Sequence, residues 1–421
     1  MSSRVRAATP GNVGVTPGRA EAQAGPMIGR VLIAGGGIAG LALATALRHR
    51  GVDAVVAEHA SAPGRSGAGL VLAPNAMKAL HAIEPGLAAA VRATGRPSGV
   101  RGSTGHRTPF LDARGRELGR VSFDGFEERW GQPAVAILRA GLHAVLLGAA
   151  EAAGAEIVTG FTAQRYTGHG SSVELVASDG RRLRGDALVG ADGLRSAVRR
   201  DLLGPGEPRY RGITAVRGTG AAPRAHPDGF IAYGKGIVVF AAGIGDGRVY
   251  WVASMAARRG EWPRRPATEA LRLVRDRLGT WAPAVRQVVA TAGEADCVVT
   301  DVFDRPPSRV WHRGRVTLAG DAIHPMVYTL GQGAGMALED AAVLGVRLST
   351  DDTAESALAG YSAERTARTA KVVRQSRMLG RVAHVRSPAG TALRDAVLRI
   401  VTRATGDDRQ NAALFGWSPP G

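Results

Sequence analysis

The sequence has little cysteine and few aromatic residues, and it has no long uninterrupted hydrophobic run. Cys297 is the single cysteine among 421 residues, which excludes an intramolecular disulfide and a cysteine metal cluster. The longest uncharged apolar run, residues 31–47, carries four glycines in a strand–turn–helix pattern, which argues against a membrane span. Residues 1–26 lack the apolar core of a signal peptide. We therefore expect a cytoplasmic protein with a disordered tail over residues 1–26.

Lysine is also scarce, although the formal net charge is +18. Lys78, Lys235 and Lys371 are the only lysines, so nearly all of the positive charge comes from arginine. A nucleic-acid partner is one explanation of such a charge. The arginines are dispersed, without a run of five or six and without interleaved aromatics. We therefore attribute the positive charge to overall amino-acid usage and expect from it only a general attraction for anions. We expect no nucleic-acid partner, no metal, and a monomer or homodimer.

The order of apolar segments predicts an α/β protein in which a nucleotide-binding domain is interrupted by a sheet domain. Four extended runs between residues 208 and 255, separated by Gly, Pro and Asp, indicate an antiparallel sheet. The nucleotide-binding domain is predicted over residues 27–98, 129–205 and 300–350, the sheet domain over 99–128 and 206–299, and a helical region over 351–421.

The stretch RVLIAGGGIAGLALATALRHRGVDAVVAEH, residues 30–59, joins a strand, a glycine-rich turn, a helix and a second strand. Gly35, Gly37 and Gly40 fit the G-x-G-x-x-G pattern, in which the glycines allow a tight turn, close approach of a pyrophosphate, and helix–strand packing. Glu58 ends the second strand, where a carboxylate can accept ribose hydroxyls.

The helix after this turn begins near Ile38 and Ala39, whose N–H groups are free to bind phosphate. The pattern predicts a dinucleotide but does not separate NAD from FAD.

A second stretch, residues 314–341, reads GRVTLAGDAIHPMVYTLGQGAGMALEDA. Asp321 follows a buried strand directly, where an aspartate can bind hydroxyls of a sugar-like chain such as the ribityl of FAD. The turn that follows can present N–H groups at a helix start to a flavin pyrimidine ring. An ordinary cap and connection is the alternative. The turn residues concerned are Gly331, Gly333, Ala334 and Gly335.

Residues 314–341 resemble the Gly-Asp motif of the group A flavoprotein monooxygenases, the single-component aromatic hydroxylases. ALVGADGLRSAVRR, residues 187–200, resembles their Asp-Gly motif and contains Asp192. ILRAGLHAVL, residues 137–146, resembles the segment whose arginine contacts FAD, here Arg139. The resemblance implies a Rossmann-like FAD-binding domain of the glutathione-reductase type with an inserted antiparallel sheet for substrate and C-terminal helices.

The resemblance also implies non-covalent FAD, with NADPH or NADH as a co-substrate that has no Rossmann domain of its own. Asp192 then serves both FAD and NAD(P)H. Arg195 and Arg199 are either phosphate partners or surface ion-pair residues. Arg65 resembles the segment that lines the flavin pyrophosphate.

In this family NAD(P)H reduces FAD, O2 forms a C4a-hydroperoxyflavin, and one oxygen atom enters the substrate. We expect hydroxylation or epoxidation of an aromatic or polycyclic small molecule, since the closest resemblance is to the branch of salicylate, hydroxybenzoate and urate hydroxylases and zeaxanthin epoxidase. The flavin carries the chemistry, so no catalytic side chain is required. His324 is a candidate base, although we favour a structural role. A reductase or dehydrogenase on the same scaffold is the alternative.

Five residues are candidates for the substrate pocket. Ala215 and Arg217 share one face of a predicted strand, and Arg217 either steers an anion or pairs with an acid in the sheet. Tyr250 lies on a later strand. Tyr328 stands where the family commonly has proline, beside the reactive edge of the flavin, and Met326 lies in the same loop. The loss of that proline removes a rigid constraint and predicts an altered pocket.

Overall fold

The computed structural model describes residues 28–62, 69–102, 105, 107–404 and 408–420. The tail predicted for residues 1–26 and the predicted flavin contact Arg65 lie outside these residues. The strands β1 to β19 are Arg30–Ala34, Asp53–Ala57, Gly69–Leu72, Arg96–Ser98, Arg107–Asp112, Glu117–Ser122, Ala134–Leu138, Glu156–Val158, Ala163–His169, Ser172–Ala177, Arg182–Gly185, Ala187–Gly190, Arg209–Ala221, Gly229–Tyr233, Ile237–Gly245, Arg248–Ala256, Val298–Asp304, His312–Arg313 and Val316–Leu318.

The helices frame these strands, and two short 3-10 turns span Gly320–Ala322 and Tyr328–Leu330. The helices α1 to α12 are Ile38–Arg48, Pro74–Ile83, Pro85–Thr94, Phe126–Trp130, Arg139–Ala152, Ala197–Leu203, Ala267–Arg277, Pro283–Ala290, Gly333–Thr350, Ala354–Ala383, Pro388–Ala404 and Asp408–Phe415. Within the described residues, no helix combines the length and the apolar character that crossing a bilayer requires.

The strand β1 lies inside a six-stranded sheet of order β18-β19-β12-β1-β2-β8. It pairs in parallel with β2 and β12, so Ala34 lies opposite both Ala57 and Gly190. All residues of β1 and β2 except the first are buried, as expected for parallel strands covered on both faces. The carboxyl ends of β1, β2, β12 and β19 meet at one edge, which is where open α/β sheets bind ligands.

A second sheet has seven strands in the order β17-β13-β16-β15-β14-β5-β6. The hairpin β5–β6, within residues 99–128, forms one edge of it. Two details differ from the sequence-based expectation. The strands β14 and β5 pair in parallel, with Ile231 opposite Phe110, and β17 pairs Asp304 with Arg209. The sheet therefore extends past residue 299, which the sequence analysis took as its end.

The two faces of this sheet have different partners because side chains alternate along a strand. Trp251 is fully buried under α7 and α8 in an apolar cluster. Its neighbour Tyr250 packs on the opposite face with Ile213, Ala215 and the loop residue Val327. We call the face that carries Ala215 and Tyr250 the inner face, and it is the wall that meets the nucleotide-binding part of the molecule.

The long helices α9 and α10 close the other side of the nucleotide-binding part. A Cβ placed on Gly345 of α9 would lie 2.6 Å from the Cβ of Ala46 in α1, so the two helices are in close contact. The 30-residue α10 packs over α9. This arrangement holds the start of α9 next to the edge where β1 and β19 end.

Candidate functional site

The turn between β1 and α1 is shaped by its glycines. Gly35 has a φ of +105°, and a Cβ there would lie 2.5 Å from the carbonyl oxygen of Ala191. A Cβ on Gly40 would lie 2.0 Å from the carbonyl oxygen of Gly35. At Gly37, in contrast, no described atom lies within 4 Å of such a Cβ. The turn thus leaves open space in front of Gly37, which fits a pyrophosphate approaching the backbone.

Glu58 is positioned beside this turn at the end of β2. Its Oε2 accepts a hydrogen bond of 2.6 Å from the N–H of Gly36, and its Oε1 accepts one of 2.9 Å from the N–H of Ala60. These bonds fix the carboxylate and leave lone pairs for ribose hydroxyls. Ile38 and Ala39 form the first turn of α1, and each is 8% exposed.

Asp321 lies in the 3-10 turn directly after β19. The side chain is accessible to water, but it lies in a cleft among protein atoms, and the resulting desolvation raises the pKa of its carboxyl. His324 and Arg139 act against this rise in pKa. Arg139 is exposed at the first position of α5. Arg139 and Asp321 therefore lie close enough to interact electrostatically.

The start of α9 opens onto this cleft as well. Gly331 has a φ of +64° and ends the Tyr328–Leu330 turn, and α9 begins at Gly333. No described atom lies within 4 Å of a Cβ placed on Gly333, and Ala334 is half-buried. The first N–H groups of α9 have no partners within the helix, so they fit the pyrimidine ring of a flavin.

A buried polar network that the sequence analysis missed fixes the start of α9. The Nδ2 of Asn75 donates to Gln332 Oε1 at 3.0 Å and to Glu339 Oε1 at 2.7 Å. Arg365 of α10 donates to Glu339 at 2.5 Å and to Asp340 at 2.8 Å. Asn75 and Gln332 are separated by 257 positions, so no local spacing in the sequence indicates their contact.

His324 belongs to this network. Its Nε2 lies 2.5 Å from Asp340 Oδ2, which also accepts a hydrogen bond of 2.9 Å from the N–H of Gly320. Burial acts to raise the pKa of Asp340, but its interactions with His324 and Arg365 and the hydrogen bond from Gly320 outweigh this effect, and the pKa is lowered. Because His324 is 3% exposed and holds the turn that carries Asp321, the geometry favours its structural role over a role as base.

Asp192 lies at the end of β12 on the third side of the cleft. Its Oδ2 accepts hydrogen bonds from the N–H groups of Ala197 at 2.7 Å and Val198 at 3.3 Å. Its Oδ1 is buried and has no hydrogen-bond partner among the described residues. Burial raises the pKa of this carboxyl, although the hydroxyl of Ser196 and the backbone N–H groups oppose the shift. A buried unpaired carboxylate oxygen fits a ligand that supplies a hydroxyl or amide donor.

The two arginines after Asp192 have different positions. Arg199 donates to the carbonyl of Ala322 at 3.3 Å, and burial beside Arg305 lowers its pKa to about 10. Arg199 therefore ties α6 to the turn of Asp321 and is not a surface ion-pair residue. Arg195 is exposed and lines a groove of about 710 Å³ with Arg259 and Arg264.

The inner face brings most of the predicted pocket residues together. Arg217 lies 5.3 Å from the ring centroid of Tyr328 and donates to Thr300 Oγ1 at 2.9 Å. Tyr250 packs on Gly69, where a Cβ would lie 2.5 Å from its ring. Burial raises the pKa of Tyr250 to about 12, although Arg217 and Arg139 act against the rise. The wall is thus aromatic and apolar, with one half-buried cation.

Met326 is not part of this wall. Val327 has extended backbone angles, so neighbouring side chains point to opposite sides, and Val327 joins the inner face. Met326 packs instead with Leu330, Met336 and Leu414. Contact of Met326 with the substrate stays a prediction.

Tyr328, which replaces the family's proline, packs against the apolar side chains of the inner face. Its hydroxyl is buried near Ser254 and meets no hydrogen-bond partner among the described residues. Ser254 Oγ lies 2.8 Å from His384 Nε2, and His384 Nδ1 lies 2.8 Å from the carbonyl oxygen of Gly380. Burial, aided by Arg394, lowers the pKa of His384. Because a carbonyl oxygen can only accept, His384 Nδ1 carries the hydrogen that is donated to Gly380.

Comparison with known proteins identifies the family. Residues 29–376 match the family described as FAD binding domain. The chain is 34% identical over 388 residues to aurachin C monooxygenase/isomerase of Stigmatella aurantiaca, covering 91% of this chain and 97% of that protein. It is 33% identical over 361 residues to 3-hydroxybenzoate 6-hydroxylase 1 of Aquipseudomonas alcaligenes, covering 83% of this chain and 88% of that protein.

A solved structure agrees with these matches. The crystal structure of Klebsiella pneumoniae HpxO complexed with FAD and uric acid has a TM-score of 0.80 and 26% identity, and it covers 89% of this chain and 93% of that one. The predicted fold, the FAD cofactor and the monooxygenase activity on aromatic substrates are thereby confirmed. This chain belongs to the family of FAD-dependent aromatic monooxygenases.

Proposed function

We propose that the cleft between the six-stranded sheet and the inner face binds FAD and an aromatic or polycyclic substrate, and that NAD(P)H and O2 are the co-substrates of a hydroxylation or epoxidation. One observation carries this proposal. The glycine turn, Asp321 and the start of α9 lie together, since a Cβ on Gly320 would contact Ala39 of α1 and Ala337 of α9. Arg139 lies close enough to Asp321 and to Tyr250 to act on the pKa of each, which supports Tyr250 and Arg217 as the opposite wall of one cleft. A flavin held by the first set would lie within reach of a substrate held by the second.

The residues of this chain divide the binding of FAD among them. The open backbone at Gly37 suits the pyrophosphate, Glu58 the ribose hydroxyls, and Asp321 the ribityl chain. The N–H groups at Gly333 and Ala334 suit the pyrimidine ring, where the positive end of α9 favours negative charge. The bound flavin supplies hydride acceptance and oxygen activation.

The inner face supports an electron-rich aromatic substrate that carries a hydrogen-bond acceptor or an anionic group. Arg217 is oriented by Thr300 and by the ring of Tyr328, so its guanidinium is held in place before the substrate arrives. The apolar side chains of Ile213 and Ala215 exclude water from the same wall. Water exclusion protects a reactive oxygen-transfer step from unproductive decay.

The groove beside Asp192 is our proposed site for the phosphates of NAD(P)H. Arg195, Arg259 and Arg264 line it, and permanently charged guanidinium groups suit a pyrophosphate. Thr300 also lines the groove and is bonded to Arg217. The groove is therefore continuous with the substrate wall, as a hydride donor that visits a shared site requires.

The experiment is turnover of the flavin-loaded protein with NADH or NADPH under ¹⁸O2, using a panel of phenols, aminophenols and hydroxyquinolines. We expect one labelled oxygen atom per product. A product that forms without oxygen uptake would instead assign the reductase or dehydrogenase activity. We further propose a cytoplasmic location, which the single Cys297 supports, and a monomer or homodimer, to be checked by sedimentation velocity.

A further inference from the structure

Helix α11 buries an arginine and exposes apolar side chains, which is the reverse of the usual pattern for a surface helix. Arg394 is 5% exposed, whereas Leu393, Val397 and Ile400 are 67%, 46% and 66% exposed. Arg394 is held inward because its Nη1 donates to the carbonyl oxygen of Gly234 at 2.9 Å. A surface helix normally buries its apolar side and exposes its charges. The arginine thus fixes α11 with its apolar side chains in solvent.

Two more exposed apolar side chains lie in the last turns of α10. Met378 and Val382 are 57% and 49% exposed, and Arg394 also donates to the carbonyl of Ala383 at 3.1 Å, which ties α11 to the end of α10. Among the described residues, Val310 is the only other exposed large hydrophobic side chain. We call the following five residues the apolar face: Met378, Val382, Leu393, Val397 and Ile400. Clustering of this kind marks a contact surface.

Positive charge borders the apolar face. Arg374 and Arg381 are exposed on the same side of α10 as Met378 and Val382, and Arg386 is exposed just after α10 ends. Two copies of this chain meeting through the face would bring these arginines together, in a protein of net charge +18, and would repel each other. Anionic lipid headgroups would instead neutralise the arginines while the apolar side chains enter the acyl boundary.

We propose that the apolar face docks peripherally on an anionic lipid membrane. A cavity of about 140 Å³ lies beside it, lined by Gly380 and Arg381 of α10, by Ile213 and Val327 of the inner face, and by Tyr210, Arg211 and Arg377. Docking places this cavity at the lipid surface and gives membrane-dissolved substrates a route to the pocket. This last consequence rests on the proposed function, whereas the docking itself does not.

The test is flotation of the flavin-loaded full chain with vesicles of phosphatidylcholine alone or with 30% phosphatidylglycerol. We expect binding to the anionic vesicles only, weakened by salt. The triple variant L393Q/V397Q/I400Q is expected to weaken binding about tenfold or more, whereas V310Q, the exposed apolar control, leaves it unchanged. R374Q/R381Q/R386Q is also expected to weaken binding about tenfold or more. Its matched control, R165Q/R209Q/R224Q, removes three exposed arginines elsewhere and is expected to bind like the unaltered chain.

Three results would overturn the proposal. They are absence of binding to anionic vesicles, equal binding by L393Q/V397Q/I400Q, and a dimer in sedimentation velocity that this same variant dissociates, since the occupant would then be a second copy. Flavin content of each variant reports folding. Turnover is measured separately without vesicles, so failure of the proposed function leaves the flotation result interpretable.

Discussion

The two walls of the cleft are built in different ways. The nucleotide-binding wall, which we call the backbone wall, is made of main-chain atoms. Its glycines include Gly35 and Gly40, where any side chain would collide with a carbonyl oxygen. The substrate wall is made of side chains from β13 and β16 together with a loop, and its key contact joins Arg217 to Tyr328. A wall of backbone suits a constant ligand, whereas a wall of side chains can change its ligand by substitution. The difference explains how one scaffold supports many substrates.

The largest effect on stability is expected from the buried polar network that fixes the start of α9 in the backbone wall. Arg365→Met removes the cation that Glu339 and Asp340 share and leaves Glu339 with Arg368 and Asp340 with His324. Breaking such a buried pair costs about 3–5 kcal/mol. The free energy of unfolding in urea measures this loss. Arg272→Met, which removes an exposed pair with Asp276, is the control and should cost less than about 1 kcal/mol. Equal costs would show that the network does not support the wall.

Substitution of the glycines tests the backbone wall itself. Gly40→Ala is expected to destabilise the fold by about 3 kcal/mol because its Cβ collides with the carbonyl of Gly35. Gly37→Ala meets no described protein atom, so it should keep the fold but weaken FAD binding about tenfold or more. Urea unfolding and FAD titration of the apoprotein separate the two effects. Gly148→Ala, exposed and unobstructed in α5, should leave FAD affinity unchanged and stabilise the fold by up to about 1 kcal/mol, because alanine favours a helix more than glycine does. Unaltered FAD affinity in Gly37→Ala would remove that residue from the site.

Substitutions in the substrate wall should change substrate binding and leave FAD binding and stability nearly unchanged. Arg217→Gln is expected to raise KM for anionic aromatic substrates about tenfold to a hundredfold, while FAD affinity and stability change little. Steady-state kinetics with charged and neutral members of the substrate panel measure this difference. Arg248→Gln removes an exposed arginine from β16 and should leave KM unchanged. A loss of FAD from Arg217→Gln would break the separation between the two walls.

The smallest expected effect is on the pH dependence of stability, through two carboxyls whose pKa values are shifted in opposite directions. Burial raises the pKa of Asp192, so the folded state binds its proton more tightly, and stability falls as pH rises from the unfolded pKa through the folded one. The lowered pKa of Asp340 has the opposite sign, giving stability that is present above the unfolded pKa and lost as pH falls through the folded one. Urea midpoints of the apoprotein from pH 3 to 8 should show that Asp192→Asn loses the first slope and Asp340→Asn the second. The same slopes in both variants and the unaltered chain would contradict the assignment.

The backbone wall was largely predictable from the sequence because its signals are local. Gly35, Gly37, Gly40 and Glu58 lie within one strand–helix–strand unit, so their spacing already describes the turn. The same holds for Asp321 after β19.

The substrate wall and the buried network were less predictable because their contacts join distant segments. Nothing near Asn75 indicates Gln332, and the parallel pairing of β14 with β5 depends on strand order. The side of its irregular loop on which Met326 lies depends on backbone angles that the sequence does not state. Alternation still placed Arg217 and Tyr250 correctly relative to the sheet, since strand periodicity is local.

The backbone wall and the substrate wall together hold the flavin and the substrate for oxygen insertion. The most direct measurement is the mass of the product formed by the flavin-loaded protein from NAD(P)H and an aromatic substrate under ¹⁸O2. We expect one ¹⁸O atom in the product and one NAD(P)H oxidised for each product formed. Substrate conversion without ¹⁸O in the product would contradict this expectation.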